Sequence, residues 1–420
     1  MTSKGWLAVV AVVAIVGIAC SSAAPGIDSD ATATTEPTPG SDSAAAELTP
    51  TPVPTLSFTP GPVPDYDPAQ RFGGPLGRSV WNTDFSKHSI DYDDILVAQI
   101  KDGIPAIENP VFLPVDPAPS WLGDLEPVIS LEINGDARAY PIQILIWHEI
   151  ANDVVGGVPV TVTFCPLCNT ALVFERTIGD TVYDFGTSGM LRFSDLVMYD
   201  RQTESWWQQI GGEAIVGELT GTRLKQLSAS IVSWKDFRTS FPNGQVLSRD
   251  TGFQRSYGRN PYTGYDNINS APFLFVGPDD DRLRPMERVT TVEINDDAAA
   301  YPFLELEIQP VVNDVVGGTP IAVFFTKGTN SALDSSVISD SRDVGAGLVY
   351  SRVLDGRELT FVANGEHFMD NETGTTWNIL GQAIDGELEG SALEPIIHAN
   401  HFWFAWAAFR PETRIWRAPE

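Results

Sequence analysis

The chain contains a stretch of itself twice. Residues 128–172, opening "VISLEINGDARAYP", align without a gap on residues 289–333, opening "VTTVEINDDAAAYP", with 22 identities in 45 positions. "NDVVGG" stands at 152–157 and again at 313–318. Further on, "AIVGELTGTRL" (214–224) matches "AIDGELEGSAL" (383–393), and Trp234 falls opposite Trp403. A repeat this long and only twofold predicts a duplicated domain, not a solenoid of many short units. It sets a first unit at 73–285 and a second, degenerate unit at 286–420.

Each unit opens with an alternating strand, a tight turn (Asn134-Gly135-Asp136 or Asn295-Asp296-Asp297) and a second strand. Asn, Asp and Gly tolerate the positive φ angles that such hairpin turns demand. "PVTVTF" (159–164) and "TALVFERTI" (170–178) are further β-branched runs. Near the end of each unit, "SWKDFRTSFP" and "HFWFAWAAFRP" carry aromatics at i, i+3 spacing before a proline, which predicts short helices with an aromatic face turned inward. The expected fold class is α+β and β-rich: two related units, each mainly antiparallel strands with a few short helices.

The segment before the repeats reads as targeting. Lys4 precedes an apolar run from Trp6 to Ala19, too short for a comfortable membrane span and right for a secretory signal. It ends in "VGIAC", which predicts a lipoprotein-type signal over 1–20 with Cys20 lipidated, although Gly17 stands where such signals usually carry Leu. Ordinary cleavage after "SAA" (22–24) is the alternative, and it removes Cys20. Residues 21–72 are rich in Pro, Thr, Ser and Ala and predict a disordered tether. The chain carries 55 acidic against 26 basic residues, a formal charge of −29, which repels nucleic acid and anionic lipid and excludes both as partners. Contact with a membrane is expected only through the lipid anchor, and the location is extracytoplasmic, at the cell surface or in the periplasm.

Features present in only one copy are candidates for chemistry. Where the first copy has "WHEI" (147–150) the second has "IQPV", so His148 stands opposite Gln309. "CPLC" (165–168) stands opposite "TKGT", so Cys165 and Cys168 are lost. Around them Phe164, Asn169, Ala171 and Leu172 are matched, which predicts a common frame around the motif. Much of "SGMLRFSDLVMYDR" (188–201) has no counterpart, because the alignment passes directly from Gly365 to Asp370. Asp200, Thr203 and Trp207 do recur, as Asp370, Thr373 and Trp377, and read as structural.

A C-x-x-C pair can close a disulfide reversibly, with thiolate character setting reactivity. His148 is expected nearby as a modulator or acid–base group, or else as a core histidine satisfied by backbone. The same Cys/Cys/His set suits copper or zinc, with Glu149, Asp195 or Met198 as a further ligand. Covalent haem is excluded because Asn169, not His, follows Cys168. Ser188 and Arg201 are weaker candidates for substrate binding. Arg201 suits a substrate anion or a neighbouring carboxylate, and Ser188 has no nucleophile elbow around it.

"KDGIPAIENPVF" (101–112), "YPIQILIWHEIANDVVGGVPVTVTFCPLCNTALVFER" (140–176), "FGTSGMLRFSDLVMYDRQTESWWQQ" (185–209) and "GRNPYTGY" (258–265) together resemble the DUF3179 family of uncharacterised bacterial and archaeal proteins. The resemblance covers about residues 78–415. It implies no established reaction. The family's association with selenocysteine in the C-x-x-C region implies redox chemistry there. The expectation is therefore an extracytoplasmic thiol–disulfide oxidoreductase without a cofactor, with Cys165 and Cys168 as the couple and a redox protein or small thiol as partner. A copper or zinc protein, and a surface scaffold with a static disulfide, are the alternatives.

Overall fold

Residues 58–73 and 80–419 are described by a computed structural model of the chain. The signal segment at 1–20 with Cys20, and the tether as far as residue 57, lie outside the described residues. From residue 58 on, the expected tether is laid on the body. Gly61 N–H donates to His88 O at 2.9 Å, and the short helix Pro68–Gly73 buries Phe72 against Phe85, Tyr92 and Trp206. That aromatic supplies an apolar anchor, which a Pro- and Thr-rich sequence otherwise lacks.

The described chain is β-rich, with five short α-helices among the described residues. The first region runs through strands Pro127–Ile133 and Asp136–Pro141, the helix Ile142–Leu145, and strands Ile150–Val155 and Val158–Cys165. The second has the same order: Arg288–Ile294, Asp297–Pro302, Phe303–Leu306, Val311–Val316 and Thr319–Thr326. The opening hairpins turn where the sequence places them, with Asn134 and Gly135 at φ 52° and 82° and Asn295 and Asp296 at φ 51° and 64°. Strands pair antiparallel except that Gln245–Leu247 runs parallel to Asp136–Pro141 and Arg414–Ile415 runs parallel to Asp297–Pro302.

Both aromatic segments form helices, Trp234–Ser240 and Trp403–Phe409. Ser233 caps the first by accepting from Asp236 N–H, one of the donors a helix start leaves unpaired. Trp234, Phe237 and Trp403 are fully buried, so these aromatics serve the core. The described residues, 58–73 and 80–419, fall in one compact unit. The apolar cluster that contains Phe164, Cys165 and Phe174 also takes in Leu333, Phe402 and Phe404. The boundary at 285/286 therefore separates related sequences within one shared core.

The two regions part after their fifth shared element. In the first, the chain turns within 166–169 and returns at once as strand Thr170–Glu175, with Cys165 opposite Thr170. In the second, Thr326 stands opposite Ala346, so residues 327–345 leave the sheet before strand Ala346–Ser351 pairs. The common frame expected around the motif from the match of Asn169, Ala171 and Leu172 thus does not hold. The reason is local. Gly328 sits at φ 109°, and the Asp343 carboxylate accepts from the N–H groups of Gly328 and Thr329, closing a loop of its own. Ala332 and Leu333 keep their types because they are buried, not because they share a strand register.

A second divergence follows. Strands Phe185–Arg192 and Asp195–Asp200 make a long hairpin, whereas Phe361–Asn364 and His367–Asp370 make a short one. Both hairpins hang from the same anchors. Asn152 bonds both backbone groups of Phe185, and Asn313 does the same for Phe361. Asp200 accepts from Thr203 N–H and Trp207 Nε1, and Asp370 accepts from Thr373 N–H and Trp377 Nε1, with matching distances of 2.6 and 2.9 Å.

Candidate functional site

The cysteines stand where the strand Val158–Cys165 ends and the next begins. Asn169, at φ 53°, closes the turn between them. Both thiols are free and buried, with Cys165 2% and Cys168 0% exposed. The long hairpin reaches over this turn. Its tip residues Phe193 and Ser194 both have positive φ, 53° and 62°, as a tight two-residue hairpin turn requires. The Ser194 carbonyl accepts from Cys168 Sγ at 3.3 Å and from Cys165 Sγ at 3.7 Å. The next residue, Asp195, brings a carboxylate oxygen to the pair, and the two sulfurs and that oxygen all lie within 4.8 Å of one another.

The site is buried and acidic. Asp195 is 0% exposed; its Oδ2 accepts from Gln208 Nε2 and from Ile210 N–H, while its Oδ1 has no hydrogen-bond partner. Burial raises the Asp195 carboxyl to about 6. Glu149 is also buried, and its carboxylate makes no hydrogen bond or ion pair among the described residues. Burial, with the Asp195 charge adding to it, raises Glu149 to about 8. Burial pushes the Cys165 thiol up and the Cys168 thiol well up, and the neighbouring acids act in the same direction. The cost of charging a group away from water holds Glu149 and both thiols in their neutral forms at neutral pH, while Asp195, at about 6, is ionised there.

Backbone strain gathers here too. Glu149, Asn169, Phe193 and Ser194 are four of the eleven described non-glycine residues with positive φ. Such conformations cost of order 1–3 kcal/mol each and concentrate at functional sites. The segment connecting the two regions roofs the pair. Tyr265 Oη donates to Leu167 O at 3.0 Å and accepts from Phe273 N–H at 3.3 Å, and Ser194 Oγ donates to Phe273 O at 2.7 Å. From below, Phe402 N–H donates to Cys168 O at 2.9 Å, and His401 Nδ1 bonds Thr170 Oγ1 at 2.7 Å.

His148 is placed differently. Its Nδ1 meets Pro105 O at 2.7 Å and its Nε2 meets Tyr257 Oη at 2.6 Å, so both ring nitrogens are engaged by groups other than the cysteines. A carbonyl can only accept, so Nδ1 carries the proton and Nε2 accepts from the tyrosine. Burial lowers its pKa to about 4, which keeps the ring neutral. His148 is not one of the three groups gathered within 4.8 Å. Ser188 is buried in a bulge of the long hairpin, where its hydroxyl donates to Val197 O and accepts from Met190 N–H. Arg201 pairs with Asp102 at 3.0 Å and Glu108 at 2.7 Å, the neighbouring-carboxylate arrangement. Met198 packs in the apolar cluster with Trp207.

In the sequence Asp195 is one unranked ligand among three. The signal that singles it out is its place in the stretch the second copy lacks. Glu149 carries a similar signal, since Pro310 occupies its position in the repeat. The tyrosine of the roof, Tyr265, sits in "GRNPYTGY", whose spacing announces no chemistry.

Fold and site together define a β-rich protein of two sequence-related regions, with a buried dithiol–carboxylate cluster in the first. The chain belongs to DUF3179, described as a protein family of unknown function, whose family model matches residues 101–413. No curated protein and no solved structure matches the chain.

Proposed function

We propose that the protein binds one thiophilic divalent metal ion, zinc in preference to copper, through Cys165, Cys168 and Asp195. The observation that carries this reading is the Asp195 carboxylate: 0% exposed, one oxygen without a partner, and within reach of both sulfurs. A buried unpaired carboxylate oxygen is costly, and a cation beside two thiols is the chemistry that would satisfy it. Zinc takes Cys sulfur and Asp oxygen together, whereas copper(I) selects soft sulfur ligands. Metal binding would displace the thiol protons, so the raised thiol values weaken it at neutral pH and the apparent affinity should rise with pH.

A second reading rests on the closeness of two unbonded sulfurs in a C-x-x-C turn. The dithiol could give two electrons and two protons to the disulfide of a partner protein or of a small molecule, closing its own S–S bond. Reactive cysteines sit in electropositive, partly exposed surroundings, and these are buried among acids, so the metal reading is favoured. We also propose that the body is held outside the cytoplasm by a lipid on Cys20, on the support of the signal-like sequence alone, and that the two regions descend from one duplicated unit. Loss of lipid labelling in a Cys20→Ala chain would support the anchor.

The test is a zinc titration of reduced, chelator-stripped protein against a chromophoric competitor, with thiols counted before and after. One zinc per chain, protection of both thiols, and a loss of about a hundredfold or more in affinity in Cys168→Ser are expected, since each ligand carries a share of a binding energy of order 10 kcal/mol. Absence of stoichiometric binding overturns the metal reading. Reversible oxidation of both thiols at a potential above about −300 mV would then favour the redox one.

A further inference from the structure

In a chain of −29 charge, arginines have carboxylates in abundance, and nearly all use them. Among the described arginines only Arg249, Arg255, Arg259 and Arg284 make no ion pair, and three of these lie within one short span of the connecting segment. We propose that this span, 249–259, presents an oxyanion-binding face that takes a carboxylate or a phosphate group on Arg255 and Arg259, with Arg249 beneath them.

The span is fastened to the core at several points. Arg249 donates through Nε to Gln143 Oε1 at 3.0 Å and through Nη2 to Trp121 O at 3.4 Å, and its guanidinium lies 4.7 Å from the centre of the Trp121 ring. Tyr257 Oη is held between His148 Nε2 and Thr251 Oγ1, at 2.6 and 2.5 Å. Trp147 Nε1 donates to Arg259 O at 3.1 Å. Gly258, at φ 87°, lets the backbone close on Arg249, since a Cβ there would lie 3.0 Å from Nη2. Arg249 and Arg255 both lie close enough to Tyr257 to act on it electrostatically.

The guanidiniums of Arg255 and Arg259, borne on this fastened backbone, are left open. Arg255 donates only to the neighbouring Gln254 O, at 3.1 Å, and the Arg259 side chain makes no hydrogen bond among the described residues. Beside Arg255 lies the Phe253 ring, 6.0 Å from its Cζ and 40% exposed, an apolar surface for the body of a ligand. Acids on the neighbouring segments are Asp250, which is exposed, Glu126, which is buried and accepts from Gln143 Nε2, and, on the stretch that pairs with residues 258–260, Asp334, which is paired with Arg342, and the exposed Asp340. Planar guanidinium forks on a rigid backbone suit two-point contact with a carboxylate or phosphate. The surrounding negative field repels anions elsewhere, so recognition would be confined to this face. On this inference His148 is a positioning residue for the span, whether or not a metal sits at the cysteines.

Calorimetric titration of the full chain at low ionic strength, with inorganic phosphate in one arm and succinate in the other, tests the proposal. Saturable binding in at least one arm is expected. Arg255→Gln or Arg259→Gln should weaken it about tenfold, the loss of one charge-assisted contact, while Arg223→Gln, at an exposed paired arginine elsewhere, should leave it unchanged. The proposal is overturned by absence of saturable binding in both arms. It is equally overturned by binding that survives both Arg255→Gln and Arg259→Gln, or that falls as much in Arg223→Gln. The arm that binds names the source, carboxylate or phosphate.

Discussion

The strand Val158–Cys165 and its relative Thr319–Thr326 are built alike, paired in the same register to the strand before them. One ends in a four-residue turn beneath a long hairpin, the other in a wide loop beside a short hairpin. Three things coincide in the first region: two thiols, a hairpin long enough to deliver Asp195, and a glutamate in a left-handed conformation. The second has Thr326, Thr329 and Pro310 at the corresponding positions and a hairpin that turns at residues 364–367. The sheet is common to both, and the cluster belongs to what was set upon it.

The comparison is most sharply broken by exchanging the hairpins. A chain whose residues 186–199 are replaced by 362–369 keeps the Asn152 and Asp200 anchors, and so should fold, at a thermal stability lowered by the loss of buried Met190, Leu196, Val197, Met198 and Tyr199, while losing metal binding altogether, as isothermal titration with zinc would show. Binding that persisted would mean the hairpin is dispensable. Asp195→Asn removes one charged ligand and leaves the shape, so the same titration should show a loss of about ten- to a hundredfold.

A milder effect is expected from His148→Gln, which installs the residue type the second region carries at that position. His148 titrates near 4 in the folded chain against about 6.5 when unfolded. Its neutral burial therefore supports the fold fully above pH 6.5, and that support is lost as pH falls from 6.5 toward 4. Urea unfolding across that window should show a slope reduced by up to about 1.4 kcal/mol per pH unit in the His148→Gln protein. His398 and His401, lowered to about 4 and about 3 by burial, should preserve the remainder of the slope. The smallest effect is expected from Thr326→Cys combined with Thr329→Cys. With no carboxylate-bearing hairpin above the loop, the zinc stoichiometry should stay at that of the parent, and a second bound zinc would show that two thiols suffice.

Much of the frame is legible in the sequence because its signals are short-range. Asn134-Gly135 and Asn295-Asp296 announce turns by their tolerance of positive φ, and the aromatic spacing of Trp234 and Phe237 announces a buried helix face. The cysteines are legible by subtraction, since the second copy lacks them. Subtraction also groups His148 with the cysteines, because both vanish together in the repeat. Its partners are instead Pro105 and Tyr257, 43 and 109 residues away in sequence, and no local pattern reports contacts of that span. Matching Asn169, Ala171 and Leu172 to the second copy fails in the same way. Burial can conserve a residue type while the backbone around it takes another course.

The roof over the cysteines has a consequence for time as well as affinity. Tyr265 ties the connecting segment to the cysteine turn, and Ser194 ties the hairpin tip to that segment, so these bonds help to cover the buried sulfurs. An ion held beneath them would have its release slowed by the local opening those bonds require. A chain that acquired its ion while folding would then keep it through dilution and through contact with stronger ligands outside, a form of memory written in a few hydrogen bonds.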